Sequence, residues 1–413
     1  MECLSPRWFV CYFTKVFVLG LVMSQLGCAS LVGGPAASVG PQPDFGRVSL
    51  QVAPSPLQVE VVGVPRSKAE AAGSTGGGFL ARCAGEGLRT GVGYIFWLPG
   101  CVLAMPIAAA VGASKALSAD DVEASTSVVT DATALRQAAE ELRRAVETAA
   151  DRVAPGRLQP SGVAADNELR LAISKIVFSG DGEPDGPIVF RFTVDASVVR
   201  RSDDAVIRSN SFSFMSEALR LREWSADAGR RIDTASKRAI TALADSIVDA
   251  VFLLYPFPYE GQPSAVTWFT GLQAEYPGRS GSFFDPYWAS VDSLSPKFRW
   301  QAFPRDVDIT ADPAAMKRVG NVSYELVIAE EENGAAGAMI YHRIALPSNE
   351  HKLEVSLQPN KRYFWTVRAR FMLDGHQYVT EWAERAPPTL VTPTRAKQRF
   401  TAPSAESYRF KTP

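Results

Sequence analysis

The chain has 413 residues, 46% of them hydrophobic, with 43 basic and 44 acidic side chains and a formal net charge of −1. That length is more than one hydrophobic core organises and points to two or three domains. Balanced charge excludes the strongly basic surface that nucleic acid requires, and the hydrophobic share is ordinary for a globular chain.

Residues 1–27 have the three parts of an export signal. Arg7 and Lys15 supply positive charge, and Val16 to Met23 form an apolar run shorter than the roughly 20 residues a bilayer span takes. Leu26-Gly27-Cys28 closes the segment. This stretch resembles the lipobox of bacterial lipoproteins, although Gln25 stands where Leu is usual and Leu26 where a small residue is usual. The resemblance implies cleavage before Cys28, acylation of Cys28 with palmitate-type chains and, because Ala29 rather than Asp follows, sorting to the outer membrane facing the periplasm. Each buried CH₂ contributes about 0.8 kcal/mol, so several chains hold firmly. The alternatives are an uncleaved N-terminal anchor and an ordinary secretory signal. Of five cysteines, Cys3 and Cys11 would leave with the signal. Cys83 and Cys101 then remain as an even pair in an oxidising compartment, either bridged or buried as free thiols.

Residues 28–46 are a Gly/Pro/Ser-rich tether, and an α+β domain is expected over 47–258. Val48, Leu50 and Val52, then Leu57, Val59 and Val61, alternate as strands do. Glycines crowd 73–93, and Thr90 to Ser114 carries no charge. Pro99-Gly100 interrupts that run, so a hydrophobic hairpin over 68–117 is expected, packed on the domain or dipping into lipid. A helix follows on Leu135, Leu142, Val146 and Ala149, with Asp131 placed to cap its start and Pro155-Gly156 to end it. Leu169, Leu171 and Ile173 alternate, then Ile176 and Phe178 continue out of phase, which predicts a bulge at Ser174-Lys175. Asp181 to Gly186 is a turn. Ile188, Phe190, Phe192, Val194, Ala196 and Val198 give the cleanest period-two run, and a third strand is expected over Ala205 to Phe214. Ser225 opens a long helix on Ile232, Ala239, Leu243, Ile247 and Leu254. Strands flanked by helices mean helices on one face of a mainly antiparallel sheet.

Residues 259–292 form an aromatic-rich linker. From 293 to 413 the pattern is all-β. Trp300 faces inward on an early strand, and Val322, Tyr324, Leu326 and Ile328 alternate. Tyr363, Trp365, Val367, Ala369 and Phe371 line one face of the longest strand, with Thr366, Arg368 and Arg370 on the other. With Leu357-Gln358-Pro359 leading to Tyr363 and Thr380-Glu381-Trp382-Ala383 beyond, this resembles a fibronectin type III or immunoglobulin-like sandwich. Tyr363 would be its corner tyrosine, and the long Pro-rich loop 384–406 is a departure.

His342, His351 and His376 are the only histidines and lack metal-ligand spacing. No G-x-S-x-G elbow, H-E-x-x-H or Walker loop is present. Asp181, Glu183 and Asp185 read as turn residues before they read as a calcium site. Arg368 and Arg370 beside Tyr363 and Trp365 read as an outward basic face over an inward aromatic one. No catalytic, cofactor or metal site is expected.

The layout resembles uncharacterised proteobacterial outer-membrane lipoproteins that combine a glycine-rich hydrophobic segment, an α+β domain and a C-terminal fibronectin III-like domain. In element order the α+β part is similar to domains of the curli-secretion lipoprotein and of lipoproteins that activate penicillin-binding proteins. The resemblance implies a non-enzymatic scaffold or binding role in the envelope, with the membrane reached through the lipid and an envelope protein or glycan as partner. Two alternatives stand beside it. One is an assembly or secretion component whose hairpin inserts and forms a homo-oligomer. The other is an inner-membrane protein with spans near 9–27 and 92–113.

Overall fold

The computed structural model describes residues 45–53, 59–65, 70, 117–159, 165–183, 185–255, 257, 269–278, 288–385, 398–404 and 406–413. Cys28, Cys83, Cys101, nearly all of the tether, the hydrophobic hairpin and both expected spans lie outside them. Among the described residues no helix is long and apolar enough to cross a membrane. The described residues all belong to one compact unit. It is an α+β layer followed by a β-sandwich.

The chain opens with two short strands, β1 (Val48–Val52) and β2 (Val59–Val62). Three helices follow, α1 (Ala119–Thr130), α2 (Thr133–Arg136) and α3 (Ala138–Val153), then β3 (Leu158–Gln159). The centre of the layer is an antiparallel meander of β4 (Asn167–Gly180), β5 (Pro187–Arg200) and β6 (Val206–Arg220). Its register skips Ser174 between the pairs Ile173–Val194 and Lys175–Thr193, which is the expected bulge. Ile188, Phe190, Phe192, Val194, Ala196 and Val198 of β5 are all buried. Their alternation turns one face of the sheet into a core surface. The sheet is antiparallel in its middle and parallel at both sides. β1 pairs with the first half of β4 and β2 with the second half, each parallel. Where β2 leaves, Gly63 (φ 70°) passes so close to the Gly180 carbonyl that any side chain at Gly63 would collide with it.

The helices cover the apolar face. Long α4 (Leu221–Val248) presents Ile232, Ala239, Leu243 and Ile247 to the same core as Leu142, Val146 and Ala149 of α3. Trp224 anchors its start, with its ring 5.4 Å from Phe178 and its Nε1 donating to the Ile188 carbonyl at 3.1 Å. Three expectations are corrected here. Asp131 does not cap α3; it closes α1, donating its backbone N–H to the Ser127 carbonyl, and α3 starts after Gln137. Ser225 does not open the long helix, which starts at Leu221 and breaks at Ala226–Gly229. Asp227 (φ 50°), Ala228 (φ 53°) and Gly229 (φ 82°) there adopt left-handed backbone. The third strand likewise runs on to Arg220 rather than stopping near Phe214.

A π-helical turn over Asp249–Leu253 carries α4 into the second half. There lie β7 (Phe269–Thr270), β8 (Ala274–Tyr276), β9 (Ala289–Ser290) and β10 (Lys297–Trp300). Two short helices follow, α5 (Asp306–Ala311) and α6 (Pro313–Met316). The remaining strands are β11 (Gly320–Glu332), β12 (Ala335–Leu346), β13 (Glu350–Lys352), β14 (Arg362–Leu373), β15 (His376–Val379), β16 (Glu384–Arg385), β17 (Gln398–Phe400) and β18 (Tyr408–Lys411). Strands β13-β10-β8 form one sheet, and β12-β11-β14-β18-β9 with β15 on β14 form the other. Between them Phe298, Trp300, Leu326, Ile328, Tyr363, Trp365, Phe371 and Phe410 make an aromatic core. The long loop before the last strand does not simply hang from the sandwich. β16 pairs with β7, and β17 crosses to the first half and extends the β6 edge, Gln398–Phe400 running parallel to Ser211–Ser213.

Candidate functional site

The residues that join the two halves include a largely buried cluster of charged side chains. On β14 the odd positions from Tyr363 to Phe371 fill the sandwich core, so Phe364, Thr366, Arg368 and Arg370 occupy the opposite face. That face is not open to solvent. Phe364 and Thr366 are fully buried, as are Val327 and Ala329 across from them on β11, and Arg368 is only 5% exposed. The reading of Arg368 as part of an outward basic face is therefore corrected, because this sheet is covered on both sides.

Two stretches cover it. Trp382 lies flat against the Arg368 guanidinium, 4.2 Å from ring centroid to Cζ. The Thr380–Ala383 stretch folds back over the strand, with Thr366 Oγ1 donating to the Ala383 carbonyl at 2.8 Å and the Ala369 N–H donating to Thr380 Oγ1 at 3.0 Å. The end of α4 brings Asp249, whose Oδ2 accepts from Arg368 at 2.6 Å. Glu325 on β11 completes the cluster. Its Oε2 accepts from Arg368 Nε at 2.9 Å and from Arg370 at 2.7 Å, and its Oε1 meets His342 Nε2 at 2.8 Å. The two carboxylates and two guanidiniums balance without a net buried charge, the condition under which such a group tolerates burial.

The electrostatics follow from the geometry. Burial pushes the Glu325 carboxyl up, but hydrogen bonding from His342 and the charges of Arg368 and Arg370 outweigh it and hold the group well below the usual carboxylate range. Glu325 is thus a fixed acceptor that stays ionised at neutral pH, not a proton donor. Burial likewise works against the charge of Arg368, and Asp249 and Glu325 more than restore it. The cluster is a clasp: it fastens the strand pair β11–β14 to the π-helical turn that follows α4. Beside it Leu253, Leu254 and Val379 form an apolar contact, the Tyr255 N–H donates to the Val379 carbonyl at 3.0 Å, and the Tyr255 hydroxyl donates to Asp312 at 2.8 Å.

The other residues singled out in the sequence are placed as follows. The Tyr363 hydroxyl accepts from the Gln358 N–H at 3.1 Å, the placement expected of a corner tyrosine. His342 joins the clasp, His351 meets the Tyr341 hydroxyl at 2.6 Å, and His376 is exposed on β15. The three are not brought together. Asp181 accepts from the Glu183 N–H at 3.1 Å, the geometry of a turn, and Asp185 is spent on Arg220 and Arg222 at 3.1 Å each. Among the described residues no group of His, Cys, Asp or Glu is arranged to hold a metal ion. Glu325 and Asp249 were not singled out in the sequence, and Trp382 was singled out only as part of the Thr380–Ala383 stretch, not as a cover for Arg368. Glu325 is simply the polar member of an alternating strand, and only the covering of its face gives it a role.

No protein-family profile matches this chain, and no curated protein does so. Solved structures share short stretches of it. A Xanthomonas campestris protein of the DUF330 family is 16% identical over 28% of this chain and 58% of its own length, with a TM-score of 0.21. A candidate lipoprotein from Caulobacter crescentus is 13% identical over 31% of this chain and 92% of its own, with a TM-score of 0.20. PelC from Paraburkholderia phytofirmans, solved as a dodecamer, is 14% identical over 27% of this chain and 74% of its own, with a TM-score of 0.18. This chain therefore spans little more than half the length of the Xanthomonas protein.

Proposed function

We propose that the chain is a lipoprotein anchored in the outer membrane through acylated Cys28, facing the periplasm, with a non-enzymatic scaffold or binding role in the cell envelope. The observation that carries this reading is the run Val16 to Cys28, an apolar segment too short to span a bilayer and ended by Leu-Gly-Cys. The C-terminal half is a fibronectin type III-like module on this reading. The Tyr363–Gln358 corner and the three-strand and larger sheets closed over Trp300 and Trp365 support that. Such a module binds or spaces. Its partner would be an envelope protein or glycan.

The test is palmitate labelling and intact-mass measurement of the expressed protein beside a Cys28→Ala variant. The reading expects loss of residues 1–27 and label that vanishes in the variant. An unprocessed, unlabelled chain would overturn it and favour the two-span inner-membrane arrangement instead.

A further inference from the structure

The clasp shows how this protein treats buried arginines: Arg368 meets two carboxylates and an indole. Arg191 is treated differently. It lies at the middle of β5, on the face turned away from Phe190 and Phe192 and from the helices. Its Nε is buried with no hydrogen-bond partner. Its one polar contact among the described residues is NH2 to the Met215 thioether at 3.9 Å, and sulfur is a weak acceptor. Ion pairing is not a general shortage here, because most arginines of this half meet a carboxylate, Arg170, Arg200, Arg201, Arg220, Arg222 and Arg238 among them.

The strand register shows what surrounds it. Arg191 stands opposite Val177 on β4 and Met215 on β6, and two residues along the face Thr193 stands opposite Lys175 and Ser213. Thr193 and Ser213 share a hydroxyl–hydroxyl hydrogen bond of 3.0 Å. The carboxylates in register on this face are Glu60, beyond Val177 on β2 and 3.7 Å from Lys175, and exposed Asp195, opposite Ser211. Neither meets Arg191. A guanidinium, an ammonium group and the Thr193 hydroxyl thus occupy neighbouring positions on one face of the sheet, with apolar Val177 and Met215 on either side of Arg191.

We infer that this face is a binding site for an oxyanion group, held by the Arg191 guanidinium and the Thr193 hydroxyl, which Ser213 orients, with Lys175 adding charge. A planar guanidinium suits bidentate pairing with a carboxylate or phosphate, and partial desolvation strengthens that pairing. The inference is independent of the lipid anchor, so it stands or falls separately from the proposed location.

The test uses the full chain purified in non-ionic detergent. Thermal unfolding is followed with inorganic phosphate, sodium glucuronate or sodium chloride at matched ionic strength, for the wild type and for Arg191→Met and Arg191→Lys. An anion present at ten times its Kd raises the folded-to-unfolded ratio roughly elevenfold. The inference expects such a rise for phosphate or glucuronate over chloride. It also expects the rise to vanish in Arg191→Met, which fills the same space without charge, and to weaken in Arg191→Lys, which keeps charge without the fork. Phosphate alone acting identifies a tetrahedral ligand, and glucuronate alone a carboxylate one. Equal behaviour of all three salts, an equal response in Arg191→Met, or collapse of both variants would overturn it, the last by making Arg191 structural.

Discussion

Replacing Arg368 with Met removes the one side chain that touches both halves of the clasp. The methionine fills much of the space, so the loss is mainly electrostatic. Truncating one member of a buried ion pair typically costs about 3–5 kcal/mol, because the partner is left buried and unpaired. Here the two partners differ. Glu325, with 5% of its side chain exposed, keeps Arg370 and His342. Asp249 loses its Arg368 contact, yet its side chain is 19% exposed and can recover some water. Both facts pull the cost to the low end, while the lost stacking on Trp382 adds roughly 0.5–2 kcal/mol. The expected loss is about 4 kcal/mol, close to a thousandfold in the folded-to-unfolded ratio. Urea unfolding of the wild type, Arg368→Met, Asp249→Asn and the double variant measures it. The double variant should recover at least ~1 kcal/mol relative to the sum of the singles, since each has already broken the other's contact. A loss in Arg368→Met below ~1 kcal/mol, or strict additivity, would refute the clasp as an energetic link.

The pH dependence follows from the same carboxylate. Because Glu325 is held below its ordinary value of 4.5, the unfolded chain takes up this proton first, so the stability it contributes is complete above that value and lost as pH falls below it. The urea midpoint should drop between about pH 5 and pH 3, and Glu325→Gln, less stable at pH 7, should flatten that part of the drop. Tyr363→Phe loses the bond from the Gln358 N–H and should cost about 1–2 kcal/mol by urea titration, with the sandwich still folded by near-ultraviolet circular dichroism. A pair of tryptophans separates packing from hydrogen bonding. Trp224 donates to the Ile188 carbonyl, whereas Trp365 Nε1 is buried without a partner. Trp224→Phe should therefore cost about 1 kcal/mol more than Trp365→Phe, and the reverse order in differential unfolding would contradict the assignment.

What could be read from the sequence was what depends on neighbours along the chain. The alternation of Ile188 to Val198 marked β5, the phase slip after Ile173 marked the bulge, and Leu357-Gln358-Pro359 before Tyr363 marked the corner. What could not be read depends on segments far apart in the chain. Arg368 alternates with core residues just as a solvent-facing arginine would, and nothing local says that Asp249 and Trp382 will cover it. Asp131 is a good cap residue in either direction, and its use at the end of α1 was decided by a helix whose apolar stripe is weak. The left-handed run at Asp227–Gly229 is invisible to helical spacing, because Ile232 and Trp224 still fall on the buried side of α4. Cys28, the residue on which the proposed location depends, is legible only by resemblance.

The strand Gln398–Phe400 comes long after β6 in the chain, yet it extends a sheet whose other members lie in the first half. As the chain emerges N-terminus first, this β6 edge waits until Gln398–Phe400 have appeared, and a waiting edge is where chains pair wrongly. A chain cut short before residue 398 would lack a strand in the half that was already complete in sequence. Quality control that recognises an unpaired β6 edge would in effect be checking that synthesis had passed Phe400.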